Sequence, residues 1–185
     1  MAQHLDQHVD QIADHAPDEA TAPWLTADQL RAWLGLVSVA ELLPVRLDQQ
    51  LQRDAGLTHF EYMVLAMLSE APDRTLRMTM LAARTDATLP RLSHVVRRLE
   101  ERGLVARSSC PSDGRATNAT LSDEGYRVVV GAAPGHVREA RRLVVDALDA
   151  TQIAQLEAIT QRLLERLDPD RRFCPDRPAT PDSPH

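Results

Sequence analysis

The sequence predicts a mainly α-helical fold with one small β-hairpin. Aromatic residues make up only 3% of the 185-residue chain although apolar residues reach 43%, and a core of Leu, Val, Ala and Ile favours packed helices over a β-sandwich. Apolar residues recur at helical spacing along most of the chain. Two short strand-like runs around the turn C-P-S-D-G-R-A interrupt that pattern. Together these observations indicate helices with a single hairpin.

The N-terminal part of the sequence is predicted to form an acidic extension, residues 1–26, followed by a dimerisation helix, residues 27–57. The first 28 residues contain six acids and no basic residue. Histidines in such an acidic arm are usually just solvated, so we predict no metal site from His4, His8 and His15. In the helix, Pro44 is expected to cause a kink or a split near Leu43. Its apolar stripe consists of Leu30, Trp33, Leu34, Val37, Leu47 and Leu51.

A second helix is predicted to begin at Thr58, because T-H-F-E forms a capping box in which Thr58 and Glu61 satisfy each other's backbone donors. It ends before Pro72. Residues 75–77 then read as an edge strand, and a brief helix follows from Met78. The buried side of the second helix is expected to comprise Phe60, Val64, Leu65 and Leu68.

The next helix, about residues 88–102, has one apolar and one polar face. Thr88 is the expected N-cap, and Pro90 lies in a first turn that tolerates proline. The inward face, at helical spacing, consists of Leu92, Val95, Val96 and Leu99. The polar face comprises Pro90, His94 and Arg97, flanked by Arg91, Ser93 and Arg98. Alone, this pattern is also that of an ordinary amphipathic helix with a solvated face.

A hairpin, about residues 104–121, follows Gly103, which suits a helix C-cap. Its predicted strands are residues 104–109 and 117–121, and Arg115 follows the Asp113-Gly114 turn. This order of parts predicts a winged helix-turn-helix over residues 58–121. The polar helix face would then read the major groove while Arg115 enters the minor groove. Asp113 would hold the tip in place.

The charge distribution supports DNA as the partner. The net charge is −6, but residues 73–121 contain nine Arg and five acids, a local charge of +4 that leaves −10 for the rest. A basic module in an acidic body suits a protein that docks on phosphates in one orientation.

The C-terminal part predicts dimerisation helices over residues 122–167. A helix from about Ser122 should bend or break at Pro134, and D-A-T-Q from Asp149 can cap a last helix. A two-helix arm cannot bury its stripes alone, which favours pairing with the first helix and with a second subunit; packing within one chain is the alternative. Residues 168–185, with five prolines, predict a disordered tail. The last stripe consists of Ile153, Leu156, Ile159, Leu163 and Leu167.

Over about residues 30–167 the chain resembles the MarR family of transcriptional regulators. The resemblance is carried by GLTHFEYMVLAMLSEA and by the run from LRMTM to GYRVV. The matching motifs are R-L-E-x-R-G-L-V-x-R, a D-x-R wing at Asp113 and Arg115, and L-S-D-E-G. The resemblance implies a homodimeric repressor or activator that binds a near-palindromic double-stranded DNA operator under control of a small molecule. It places the minor-groove contact on Arg115 and the base contacts on Thr88, Pro90, Arg91, Ser93 and His94.

In this family the effector pocket lies where the dimer helices meet the DNA-binding lobe. The corresponding side chains mix apolar bodies with polar tips suited to a small aromatic acid, although each could equally be a core residue. They are Trp33, His59, Tyr62, Met63 and Met67.

Two alternatives stay open. Cys110 in the wing could make the chain a thiol-based oxidant sensor, and winged helices also serve as protein-docking modules. Cys110 and Cys174 cannot form a disulfide framework or a zinc site. The sequence has no hydrolase, zinc-protease or phosphate-loop motif, so we expect neither enzyme activity nor a cofactor. Without a signal peptide or membrane span, a cytoplasmic location is expected.

Overall fold

The computed structural model describes residues 24–110, 113–170 and 172–173, without the side chains of residues 113–115. The acidic extension through residue 23, with its three histidines, and the tail beyond residue 173 lie outside the described residues. The chain divides into two compact units, residues 1–41 and 42–185. The boundary falls within helix α1, Ala27–Ala55.

Both prolines that were expected to interrupt helices lie inside continuous ones. Pro44 is within α1, and Pro134 is within α5, Asp123–Leu143. The sequence predicted a kink or a split at Pro44 and a bend or a break at Pro134, and neither the split nor the break occurs. An internal proline costs about 3 kcal/mol through one lost hydrogen bond and a clash. Packing on both sides of Pro134 offsets that cost in α5, because Val129 is buried before it and the His136 ring contacts another helix after it.

The second unit contains the helix-turn-helix and the hairpin. Its elements are α2 (His59–Ser69), β1 (Thr75–Arg77), α3 (Met78–Arg84), α4 (Leu89–Glu101), β2 (Val105–Cys110) and β3 (Asp113–Leu121), with a 3-10 turn at Pro72–Arg74. The expected capping box of α2 is confirmed: Glu61 N donates to Thr58 Oγ1 over 3.0 Å, and Thr58 N donates to the Glu61 carboxylate over 2.8 Å.

The strands form an antiparallel sheet in the order β1-β3-β2. β1 is the edge strand that the sequence predicted, and Thr75 pairs with Thr120. β3 starts at Asp113, whereas the sequence placed its start at residue 117. The prediction assigned D-G-R-A to the turn because of its turn chemistry, but pairing of Asp113 with Cys110 of β2 extends the strand to Asp113. A register shift between Ser109 and Cys110 brings Cys110 opposite Asp113.

The core of this unit lies between the helices and the sheet. Its fully buried side chains are almost all aliphatic, as the low aromatic content predicts, and each contributes about 1.5–3 kcal/mol by burial. The large aliphatic ones are Leu51, Leu57, Val64, Leu65, Leu68, Leu81, Leu92, Val96 and Leu99.

After the wing, α5 begins at the N-cap Ser122, whose hydroxyl accepts from Gly125 N over 2.9 Å. A 3-10 turn, Val145–Ala147, leads to α6, Ala150–Leu167. The predicted cap of α6 is confirmed, because Asp149 and Gln152 form a capping box. No residue of α6 is buried in the described chain. None of the described helices combines the length and the apolar content that a membrane span needs.

Candidate nucleic-acid interface

Helix α4 separates its side chains as the sequence predicted. Leu92, Val96 and Leu99 are buried, whereas Pro90, His94 and Arg97 are exposed on the opposite side. Thr88 caps the helix by accepting from Arg91 N over 3.4 Å. A convex polar face of this kind, anchored by an apolar stripe, has the shape of a helix that enters a major groove.

His94 and Arg97 form a pair on this face, with Arg97 Nη2 2.9 Å from His94 Nδ1. A guanidinium can only donate, so Nδ1 must be the acceptor and the neutral ring carries its proton on Nε2. The Nε2–H group is then a donor that suits an acceptor on a base edge, such as guanine O6 or purine N7. Arg97 also lies 4.0 Å from Glu101.

The remaining arginines of α4 contact α2. Arg98 approaches Oε1 of Glu61 at 2.9 Å as an ion pair without aligned hydrogen-bond geometry, and Arg102 lies 3.8 Å from Oε2. The Arg91 guanidinium lies 4.4 Å over the centre of the Phe60 ring. Arg98 was a predicted DNA contact, but its observed partner is a buried acid. The sequence marked Glu61 only as a cap, because nothing in a linear pattern links it to residues 37 and 41 positions further on.

A clamp of hydrogen bonds between Glu100 of α4 and Arg107 of β2 connects the base of the wing to α4. Arg107 Nε and Nη2 donate to the same oxygen of Glu100 over 2.8 and 2.6 Å, and Arg107 N donates to the other oxygen over 3.1 Å. These bonds hold the pKa of Glu100 below its usual range. The clamp fixes the direction in which the hairpin leaves the helix.

The two predicted contact residues of the wing are described only by their backbone. Asp113 and Arg115 lie in β3, but their side chains are outside the described part of the structure. Between the wing and α4 lies a groove of about 190 Å³, and half-buried Ser93 lines it together with Arg77, Arg107 and Thr117. The structure therefore brings Ser93 to the edge of the hairpin.

Two of the predicted effector residues meet the ring of His136. The His136 ring centre is 4.6 Å from that of Tyr62 and 5.9 Å from that of His59. Met63 and Met67 are half-buried on the same helix, whereas Trp33 belongs to the first unit and is 54% exposed. Sequence reasoning missed His136, which is far from α2 along the chain.

Polar atoms without partners lie in the same region. His136 Nδ1 and Gln50 Oε1 are buried and have no hydrogen-bond partner within the described residues. A Cβ at Gly135 would lie 3.1 Å from Gln50 Nε2, so Gln50 packs beside the residue that precedes His136. A larger cleft of about 570 Å³ lies elsewhere, between the α3–α4 turn and the end of α6, and includes none of the five predicted effector residues.

Cys110 is buried at the end of β2, with 7% of its surface exposed. Burial hinders the access of oxidants to a thiol, so this placement offers no support for thiol sensing. In the described ranges, no three His, Cys, Asp or Glu side chains are grouped so that they could hold a metal ion.

A helix-turn-helix with an exposed polar second helix and a clamped hairpin beside it defines a winged helix-turn-helix protein. The chain belongs to the MarR family and is a DNA-binding transcriptional regulator: the MarR family model matches residues 55–116, and the relatives agree. The HTH-type transcriptional repressor Rv2887 of Mycobacterium tuberculosis is 36% identical over 115 residues, 62% of this chain and 78% of its own.

Two solved structures from Streptomyces coelicolor share the fold. The MarR family regulator Sco3205, crystallised in complex with DNA, is 46% identical and has a TM-score of 0.77, covering 81% of this chain and 94% of its own. AbsC, another MarR family regulator, is 35% identical with a TM-score of 0.75, covering 79% of this chain and 98% of its own. The resemblance seen in the sequence is thereby confirmed.

We predict that the free energy of unfolding falls as the pH drops below about 6.5, the ordinary pKa of histidine. Burial lowers the pKa of both His59 and His136; for His59, Asp48 opposes this effect, and for His136 the nearby His59 adds to it. Below pH about 6.5 the unfolded chain therefore binds more protons than the folded one. The stability that depends on the two neutral rings is fully present above that pH. It is lost as the pH falls through the lower pKa values that these histidines have in the folded state.

The measurement is urea denaturation at pH 7.5 and 5.5, with His136→Phe as the comparison. Phe keeps a ring against Tyr62, cannot titrate and removes the unpartnered Nδ1. We expect the variant to be at least as stable as the wild type at pH 7.5 and to lose less stability at pH 5.5. An equal loss in both proteins would show that His136 does not contribute to the pH dependence.

Proposed function

We propose that the chain is a homodimeric, sequence-specific repressor that binds a near-palindromic operator through α4 and the wing. The exposed polar face of α4, directly beside the clamped hairpin, is the observation that carries this proposal. Its proposed contacts in the major groove are Thr88, Pro90, Arg91, Ser93, His94 and Arg97. Arg115 is the proposed minor-groove contact, with Asp113 holding the tip and Arg98 acting through Glu61.

The proposed dimer covers the exposed apolar surfaces of the terminal helices with a second copy. Helix α6 leaves Ile159 and Leu167 56% and 79% exposed. In α1, Leu30 and Leu34 are also exposed. A helix with an apolar stripe and no buried residue needs a partner, and a twofold axis would set two α4 helices about one DNA turn apart.

The proposed effector site comprises four residues of α2: His59, Tyr62, Met63 and Met67. Unpartnered atoms of Gln50 and His136 beside aromatic rings support it, because they could bind the polar groups of a small aromatic acid. A ligand there would change DNA affinity by favouring one spacing of the two α4 helices, with a coupling of roughly 1–3 kcal/mol.

The test is a gel-shift titration, at several salt concentrations, on a duplex selected from random DNA with the wild-type protein. We expect Arg115→Ala to weaken binding by roughly 5–30-fold, or about 1–2 kcal/mol, because the wing loses its minor-groove guanidinium. Arg162→Ala removes the same charge from α6 and should change little. Equal affinity of Arg115→Ala and wild type would refute the wing assignment.

Two controls accompany this titration. Light scattering should give the mass of two chains for the wild type and both variants, and the mass of one chain would contradict the dimer. Affinity should fall steeply with added salt, as expected when arginines displace counterions from phosphates. Binding that is insensitive to salt, or no selected duplex at all, would favour a protein-docking module.

A further inference from the structure

Two consecutive residues in the first turn of α2 contact the arginines along one side of α4. Glu61 pairs with Arg98 and Arg102, and the Phe60 ring lies under the Arg91 guanidinium at 4.4 Å. Arg91, Arg98 and Arg102 follow one another at intervals of seven and four residues, and so form one stripe along the helix. The two contacts act on opposite ends of α4.

The two ends of this stripe differ in what their guanidinium groups can still bind. Arg98 and Arg102 face a carboxylate that is 1% exposed, so their charge is matched within the protein. Within the described part of the chain, Arg91 makes no ion pair or side-chain hydrogen bond, and the Phe60 ring is the contact of its guanidinium. Stacking on a ring uses the face of the guanidinium and leaves the five in-plane N–H donors available.

We propose that Phe60 is a positioning residue that orients Arg91 to donate hydrogen bonds to a base edge in the DNA. Arg91 is in the first turn of α4, the end of a recognition helix that contacts bases. A free arginine side chain must lose much rotamer freedom when it binds, and the half-buried ring removes part of that loss before DNA arrives. The inference rests on the proposed function and adds a residue that does not touch DNA.

The expected change in DNA affinity follows from the strength of the Arg91–Phe60 stack. A guanidinium over a ring at an exposed site contributes an interaction that corresponds to about a two- to fivefold change in affinity. Phe60→Leu keeps an apolar side chain against the core but has no ring face. Phe60→Tyr keeps the face. We therefore expect Phe60→Leu to weaken binding about two- to fivefold and Phe60→Tyr to bind like the wild type.

A double-mutant cycle separates positioning from a general effect on folding. Affinities of wild type, Phe60→Leu, Arg91→Ala and the double variant are measured on the duplex selected from random DNA with the wild-type protein. If Phe60 acts through Arg91, Phe60→Leu has no further effect once Arg91 is Ala. The preference at the base pair lost in Arg91→Ala should also be reduced in Phe60→Leu.

The outcomes are distinct. The same loss from Phe60→Leu with and without Arg91 would mean that Phe60 only supports the fold, and overturns the inference while DNA binding stands. No loss from Phe60→Leu in the wild-type background also overturns it. If the wild-type protein selects no duplex, both the proposed function and this inference fail.

Discussion

Replacing Glu61 by Ala is expected to lower the free energy of unfolding by roughly 2–4 kcal/mol. The carboxylate accepts from Thr58 N at the start of α2, a cap that contributes about 1 kcal/mol. It also pairs with Arg98 and Arg102, whose half-exposed side chains limit that contribution to about 1 kcal/mol or less. Loss of the buried stem adds about 1 kcal/mol.

Glu61→Gln is the matched control for that variant. Gln is also a capping-box residue, so it keeps the side-chain volume and the bond to Thr58 N but has no charge for the two arginines. We expect Gln to cost about 1 kcal/mol, measured by urea denaturation at fixed protein concentration. If Ala costs no more than Gln, the capping bond and the packed stem contribute nothing, and this interpretation of Glu61 is wrong.

DNA binding should fall in Glu61→Ala for a separate reason. The carboxylate links the start of α2 to the C-terminal half of α4, and without it that half of α4 loses its ion pairs to α2. The affinity of Glu61→Ala for the selected duplex should therefore be lower even at temperatures where the variant is fully folded, as circular dichroism can verify.

Replacing Gly125 by Ala is expected to cost roughly 2–3 kcal/mol in stability, the upper part of what overpacking usually costs. A Cβ at this position would lie 2.2 Å from the carbonyl oxygen of Leu104 and 2.7 Å from a methyl group of Leu121. That carbonyl oxygen also accepts a hydrogen bond from Ser122 N at 3.0 Å, so it cannot retreat without disturbing the junction of β2 and α5. The glycine of the L-S-D-E-G motif is therefore needed for close approach of two backbones.

Gly131→Ala provides the control within the same helix. Nothing lies within 4 Å of a Cβ at Gly131, so this change should stabilise α5 by up to about 1 kcal/mol through helix propensity alone. Thermal unfolding of both variants at one concentration measures the difference, and about 1 kcal/mol corresponds to roughly 2–4 °C for a chain of this size. Equal melting temperatures would show that the backbones separate at little cost.

Local patterns predicted much of the fold. The capping boxes at Thr58 and Asp149 and the inward stripe of α4 all depend on residues within a few positions of one another, and the structure has each of them. The same local rules misplaced the start of β3, and they allowed a split at Pro44 and a break at Pro134 that do not occur. At those places, pairing or packing with distant residues outweighs the preference of the local sequence.

The amino-acid sequence by itself determined the helical class, the order of the elements and the face of α4 that stays polar, because side-chain periodicity and capping act within one or two turns. Only the tertiary structure decided which arginines of that helix are paired within the protein and which are not. Phe60 with Arg91, Glu61 with Arg98, and His59 with His136 are each far apart along the chain. Helical periodicity shows that a side of a helix packs, but the partner it meets depends on how the elements assemble.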